Sequence, residues 1–560
     1  MASEVSRREL LAAVAAVGVG TAPFQRAVAA AAAQPKVETV TAEMVQAAEW
    51  VAGITLTDPE RKAVATALTN TLRGVAALNK LELSNAVGPA LHFNPAPGEA
   101  PSKEGRGTVS LDRKAAEPNK LEGDELAFAP LADLAEQVRR KRVSCTELAK
   151  LYLARLKKYD PALLCVISLT EELALKQAAE ADKEIAAGKY RGPLHGIPWA
   201  AKDLIAYPGY PTTWGAGHFK EQKLTEKATV AARLDAAGAV LACKTTLGSL
   251  AWGDIWFGGT TRNPWNVKQG SSGSSAGTAS SVAAGLVGFG LGSETLGSIV
   301  SPSTRCGVTG LRPTFGRVSR HGCMALCWSL DKIGPMCRSA EDCALVLGAI
   351  HGFDGKDATA QDRPFHWPAR ANLKELRVGY IEAGFGGLPA ADKKVLTDLG
   401  VKLVPITLPY ENASRIVNLI LDVESAAAFD DITRAGVQEG IGLWGPTFRR
   451  GRFVSAVDYL KAQRARTVLM AQMATVMEKV DLYAGGNDLQ ITNLTGHPTV
   501  CLPNGFTRSG APTALTFTGR LFGEGTLLAV AKAYQDATGH HRKRPPQETW
   551  VAEQKDTKKE

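Results

Sequence analysis

Two short stretches carry hydroxyl groups at unusual density. Gly270 to Ser280 reads GSSGSSAGTAS, six serines or threonines with no histidine, aspartate or lysine among them, and Ser293 to Pro302 reads SETLGSIVSP. A serine hydroxyl is a weak nucleophile and needs a base to take its proton. Gly273-Ser274-Ser275-Ala276-Gly277 matches G-x-S-x-G, but a nucleophile elbow needs a buried strand immediately before it. The preceding NPWNVKQGS is polar and contains proline, which is unfit for a central strand. A flexible Gly/Ser linker is a second reading. It fails at the flank, where ASSVAAGLVGFGLGSET continues as an Ala-rich helical run and then a strand of small residues. A third reading uses a lysine. Lys202 follows Ile197-Pro198-Trp199-Ala200-Ala201, and an ammonium in apolar surroundings loses hydration, so its pKa falls toward the range where it accepts a proton. Taken alone, Lys202 reads as an exposed lysine at a strand end.

The elements that must position these groups are legible from periodicity. Thr41 to Leu83 is helical, with apolar residues at Val64, Leu68, Leu72, Val75 and Leu78. Gly88 to Pro118 is dense in Pro, Gly, Lys and Glu, the composition of a linker or a strap over the surface. From Phe128 onward helical and strand-like segments alternate. SCTELAKLYLARLKKY opens with Ser144 as a cap and Glu147 three residues on, AVLACKT reads as a strand, and LRVGYI with ADKKVLTDLGVKLVPITLP reads as strand, helix, strand. Such alternation predicts an α/β layered fold with a largely buried sheet.

The chain has 560 residues, 45% hydrophobic and 22% charged, with a formal charge of +9 that is diffuse apart from Arg139–Arg142 and His540–Arg544. Without a long basic stripe or an RNA-binding motif, that charge reads as a solvated surface and not as a nucleic-acid interface. Nine cysteines without repeated CxxC pairing predict neither a disulfide framework nor a zinc site, and Cys323 and Cys327 read as two small buried thiols. His195 and His321 lack metal-ligand spacing and read as structural. At the N-terminus, Ser6-Arg7-Arg8-Glu9-Leu10-Leu11 precedes an apolar run to Phe24 and then RAVAAAAAQP. Twin arginines, an apolar middle and an alanine-rich end predict a twin-arginine export signal and a periplasmic protein. Removing residues 1–33 takes away three arginines and two glutamates and leaves a charge of about +8.

GIPWAAKD, GTTRNPWN, GSSGSSAGTASSVAAG, GSETLGSIVSP and CGVTGLRPTFGRVSRHG occur in this order, and NLTGHPTVCLPNGF follows. Together they resemble the amidase signature family, amide hydrolases related to the A subunit of glutamyl-tRNA amidotransferase and to fatty acid amide hydrolase. The resemblance covers about Phe128 to Arg544. It implies an α/β amidase signature fold, a central mixed sheet flanked by helices on both faces, with an N-terminal helical extension. It also implies a Ser-Ser-Lys catalytic unit in which Lys202 is the base, Ser274 the middle serine and Ser298 the nucleophile. Backbone N–H groups of Thr295, Leu296, Gly297 and Ser298 match the family's oxyanion hole. The expected organisation is a signal at 1–33, a helical extension at 34–87, a linker at 88–127, a catalytic domain at 128–545 and a charged tail at 546–560.

The chain departs from the family pattern at four places. Ser272-Gly273 and Leu296-Gly297 stand where the family has paired glycines, Glu294 replaces an aspartate and Val300 replaces an arginine. A leucine does not easily take a positive φ, so the oxyanion loop is expected to differ in detail, and the buried acid is expected to lack its charge partner. The expected substrate is a small amide or ester, with no cofactor, metal or nucleic acid. No membrane span is expected to remain after signal removal, and a homodimer is compatible with the chain. Trp252, Trp256 and Phe257 are candidates to line an aromatic or acyl pocket, although such residues are more often core. Two alternatives stand beside the hydrolase. One is a component of a tRNA-dependent amidotransferase, toward which LELSNAVGPALHFNP leans by a faint likeness to the small accessory chain of that enzyme. The other is a catalytically silent binding protein on the same fold.

Overall fold

The computed structural model describes residues 39–52, 54–78, 85, 91–97, 105–111, 119–382, 386–486 and 488–552. The twin-arginine segment expected at 1–33 lies outside the described residues, as does Lys555 to Glu560. The chain divides into two units, Met1–Val87 and Gly88–Glu560. The first contains two helices, α1 (Ala42–Ala52) and α2 (Asp58–Leu78). Thr57 donates its N–H to Glu60 Oε2 at 2.7 Å, one half of a capping box, and Arg61 Nε ties α2 to Glu49 of α1 at 2.7 Å.

In the second unit eleven strands form one mixed sheet. They are β1 (Val166–Leu169), β2 (Pro198–Lys202), β3 (Val240–Thr245), β4 (Phe289–Glu294), β5 (Thr309–Arg312), β6 (Lys332–Cys337), β7 (Arg377–Tyr380), β8 (Lys402–Pro405), β9 (Leu482–Ala484), β10 (Thr499–Phe506) and β11 (Pro512–Gly519). Their spatial order is β1-β3-β2-β4-β6-β5-β10-β11-β9-β7-β8. Strand β2 runs parallel to both β3 and β4, and β4 runs antiparallel to β6. All four are buried along their whole length, which explains why their sequences are continuous apolar or small runs instead of alternating ones. Trp199 of β2 stacks on Phe289 of β4, ring centroids 6.2 Å apart, and locks the two strands side by side.

Helix α3 (Cys145–Leu163) begins with the expected capping box: Ser144 Oγ accepts the Glu147 N–H at 3.1 Å and Glu147 Oε2 accepts the Ser144 N–H at 2.8 Å. Helix α4 (Ala276–Ala283) follows the first serine cluster and is buried at every residue. It packs directly on β4, close enough that a Cβ at Gly292 would meet Ser275 Oγ at 2.7 Å. Only glycine admits that approach. The segment before the cluster, Asn266–Gly270, pairs only with Arg262–Asn263 in a two-stranded ribbon outside the main sheet. The G-x-S-x-G match is therefore not an elbow.

Of the two readings offered for 88–118 the described parts follow the strap, and a short helix at Gly123–Ala127 comes after it. Phe93 packs edge-on against Phe315 at 4.9 Å with the Arg466 guanidinium 3.4 Å from its ring, and Val109 pairs with Trp367. One feature revises the expected organisation: at the other end, packed structure continues past residue 545 into a helix at Glu548–Ala552. Its Trp550 is buried, lies edge-on to Tyr159 at 5.0 Å and donates its indole N–H to the Pro264 carbonyl at 2.8 Å. A single tryptophan inside a charged run is easily outvoted by composition, yet an aromatic of this size decides where such a segment docks.

Candidate active site

Lys202 is the last residue of β2, and Ser293 to Ser298 follow the same edge of the adjacent parallel strand β4. Ligands in α/β sheets bind outside the carboxyl ends of parallel strands, so both groups stand where chemistry is expected. Lys202 is fully buried, and its Nζ lies 2.8 Å from Ser274 Oγ, 2.8 Å from Ser293 Oγ, 3.2 Å from Ser275 Oγ and 3.3 Å from the Ser293 carbonyl. Burial lowers its pKa from 10.5 to about 7, with the anionic Asp331 and Glu294 working in the opposite direction. A lysine in this state is about half neutral at neutral pH, and a neutral amine has the lone pair that a general base needs. The apolar IPWAA run thus does what its composition implies.

The two serine stretches meet through Ser275. Its hydroxyl accepts the Ser293 N–H at 3.1 Å and donates to the Ser293 carbonyl at 3.1 Å, while its own N–H donates to the Ser298 carbonyl at 3.1 Å. Ser274 and Ser298 are both buried, and no hydrogen bond joins their hydroxyls among the described residues. The Lys202–Ser274 contact is thus made in this structure, and Ser298 is tied to the first serine stretch through its backbone carbonyl.

The loop 295–298 lies between β4 and helix α5 (Val300–Cys306). Among the described residues its four backbone N–H groups have no acceptor, whereas the next two are committed. Glu294 Oε2 takes the N–H of Ile299 at 2.8 Å and of Val300 at 3.0 Å. The expected difference at Leu296 does not arise, because the positive φ falls on Gly297 at 84° and not on the leucine. Leu296 instead packs, half-buried, against the cluster that includes Ile416, Val417 and Leu494. In the first loop the missing glycine does matter. Ser272 takes φ 61°, a strain of roughly 1 kcal/mol or more for a residue with a Cβ. Its N–H is held by Asp254 Oδ2 at 2.8 Å.

The expectation that Glu294 lacks a charge partner is also overturned. Arg312 of β5 donates to Glu294 Oε1 at 2.7 Å, both side chains being fully buried, and Asn493 donates to the same oxygen at 2.9 Å. Burial alone would raise the Glu294 pKa, but Arg312, Lys332 and these hydrogen bonds bring it to about 2. Breaking this pair strands a buried charge. Arg312→Met is expected to destabilise the fold by about 3–5 kcal/mol, read as a lower denaturant midpoint, because Glu294 keeps its charge without the cation. A midpoint within error of the parent would contradict that account.

The other candidate residues are placed as follows. Trp252 and Phe257 are exposed and Trp256 is half-buried, so none of the three is core. Trp252 lies edge-on to Trp444 at 4.7 Å, and its neighbour Gly253 abuts Gly273, whose Cβ would sit 1.9 Å from the Gly253 carbonyl. His195 is buried 3.2 Å from Glu184, and His321 lies 2.7 Å from Glu226, both in structural contacts. All nine cysteines are free thiols. Among the described residues no cluster of three or more His, Cys, Asp or Glu could hold a metal ion, and no helix is long and apolar enough to cross a membrane. Ser293, Arg312 and Asp331 were not singled out by sequence reasoning. Ser293 opens the SETLGS stretch and was legible there, whereas the other two reach the site only through strand pairing.

The Amidase family profile matches residues 147–485 of the chain. The A chain of the glutamyl-tRNA(Gln) amidotransferase of Heliobacterium modesticaldum is 34% identical over 477 residues, covering 74% of this chain and 97% of that protein. The putative amidase AmiD of Mycobacterium bovis is 33% identical over 482 residues, covering 78% of this chain and 99% of that one. Among solved structures, the native peptide amidase from Stenotrophomonas maltophilia superposes with a TM-score of 0.66 at 29% identity, covering 75% of this chain and 98% of its own.

Proposed function

The chain belongs to the amidase signature family and is an amide hydrolase, and on that premise we propose that Ser298 is its nucleophile, Ser274 its proton relay and Lys202 its base. The observation that carries this reading is the buried Lys202 amine, 2.8 Å from Ser274 Oγ at the parallel-strand edge where Ser298 also lies. Ser298 Oγ attacks the amide carbonyl carbon. Its proton passes to Ser274 as Ser274 gives its own to the neutral Lys202 amine. The oxyanion faces the N–H groups of Thr295, Leu296, Gly297 and Ser298, aimed donors that need no reorganisation as charge develops. The proton returns by the same relay to the leaving nitrogen, the C–N bond breaks, and an ester joins the acyl group to Ser298. Water attacks that ester with the relay acting again as base, releasing the acid and restoring the serine.

The substrates are small amides or esters, cleaved by the chain alone without nucleotide, nucleic acid or added metal. The test is hydrolysis of an amide and ester panel by the purified chain in the presence of a chelator. Activity that vanished with chelator and returned with zinc would overturn this reading. The relatives named as amidotransferase components favour a second one, in which the chain works only with partner chains. Turnover of free amides by the isolated chain decides between them.

The protein is exported through a twin-arginine signal, on the support of Arg7-Arg8 before an apolar run and an alanine-rich end. Changing Arg7 and Arg8 together to lysine is expected to leave the full-length protein in the cytoplasm on fractionation. Normal export and cleavage of that double variant would sink the assignment.

A further inference from the structure

We propose that Asp331 is a positioning residue for this reaction: its carboxylate fixes Thr295 at the head of the oxyanion loop and so brings a buried negative charge to the Lys202 side of that loop. The inference rests on the assignment of Lys202 as base and of residues 295–298 as oxyanion donors.

Register brings Asp331 there. In the antiparallel pairing of β4 with β6, Lys332 lies opposite Glu294, so the next residues outward, Asp331 and Thr295, face each other just past the end of the ladder. Thr295 Oγ1 donates to Asp331 Oδ1 at 2.6 Å. Asp331 Oδ2 accepts the N–H groups of Leu326 at 2.8 Å and Cys327 at 2.9 Å. Every partner is a donor, as a carboxylate requires. The turn that carries Asp331 is itself held firmly. Leu330 and Asp331 both donate N–H to the Cys327 carbonyl at 3.0 and 2.9 Å. Ser329 is gripped by Glu424, which accepts its N–H at 2.8 Å and its hydroxyl at 2.6 Å, and by Arg466, whose Nη2 donates to its carbonyl at 2.8 Å. A donor set for an oxyanion works only if it does not have to move, and Thr295 is anchored to the most constrained turn beside it.

The charges facing Lys202 are unequal. Glu294 comes from β4 and is matched by Arg312, with Lys332 also near it. Asp331 comes from the turn before β6 and makes no ion pair within 4.0 Å among the described residues. Of the cations that act on it, Arg320 is engaged with Asp357 at 3.0 Å and Lys332 is shared with Glu294. Burial pushes the Asp331 carboxyl above its ordinary range, while Thr295, the two amides and Arg320 hold it down. When Lys202 takes up the Ser274 proton a cation forms in a buried site, and Asp331, ahead of Glu294, is the anion that favours it.

Two substitutions separate the two roles. Asp331→Asn keeps the shape and removes the charge, so the acid limb of log kcat/KM against pH should move to lower pH by on the order of one unit, with a lower rate. Thr295→Val removes the hydrogen bond and keeps the charge. It should lower kcat by roughly 10-fold or more with KM and the acid limb unchanged, and Thr295→Ser should restore most of the loss. Melting curves of all three accompany the kinetics, and the Thr295 pair serves if Asp331→Asn does not fold. An unmoved acid limb in a folded Asp331→Asn, or a Thr295→Val as active as Thr295→Ser, overturns the proposal. If Lys202→Ala keeps the parent rate and limb, the base assignment itself has failed. If Lys202→Ala is inactive while Asp331→Asn shifts nothing, only the role of Asp331 falls.

Discussion

Ser298→Ala is expected to leave only background amide hydrolysis and no covalent intermediate. The substitution removes the atom that bonds to the acyl carbon, and no other serine at the site is presented in the same way. Ser274 is committed to Lys202 at 2.8 Å, and the Ser275 hydroxyl is committed to the backbone of Ser293 on both its donor and acceptor sides. In serine hydrolases, loss of the nucleophile costs on the order of 10⁶ in kcat, with a residual rate from binding and the oxyanion donors. The measurement is single-turnover hydrolysis of an activated ester, quenched and weighed by mass spectrometry for an acyl adduct. Ser275→Ala should still form the adduct, since it loses hydrogen bonds of about 1 kcal/mol each and not the nucleophile. The reverse pattern, an adduct in Ser298→Ala and none in Ser275→Ala, would replace the Ser-Ser-Lys assignment with an elbow centred on Ser275.

Removing Lys202 is expected to be nearly as damaging, and its signature is the pH profile. The amine must be neutral to act, and its pKa is depressed to about 7, so activity is present above that pH and falls tenfold per unit below it. A rising limb near 10, where an exposed lysine titrates, would mean that Lys202 is not the base. Lys202→Ala and Ser274→Ala interrupt the same relay at adjacent points. Their double variant should therefore be little worse than the poorer single one. Multiplicative losses would show that the two side chains act independently.

Much of this site was written locally. The run Ile197 to Ala201 makes a strand buried on both faces, and the loops that carry Ser274, Ser275 and Ser293 then close over the lysine at its end. The small residues from Ala276 to Ala283 make a helix that packs flush against its neighbours, and Ser144 with Glu147 starts another through a contact spanning three residues. These signals act over one or two turns of chain, so type and spacing are enough to read them. The order of the motifs likewise places Lys202, Ser274 and Ser298 in one family pattern.

Tertiary structure decided the rest, because it depends on which strands lie side by side. Arg312 neutralises Glu294 only because β6 separates β5 from β4 and the arginine reaches across it, so the arginine expected two residues beyond Ser298 is replaced by one 18 residues along the chain from Glu294. Asp331 meets Thr295 through an antiparallel register that a one-residue slip would have sent to the other face. Leu296 needs no left-handed backbone because the neighbouring glycine takes that turn. Trp550 is core because a pocket beside Tyr159 and Pro264 accepts it. Sequence determined which groups could do the chemistry. Pairing and register, which join residues far apart in the chain, determined what surrounds them.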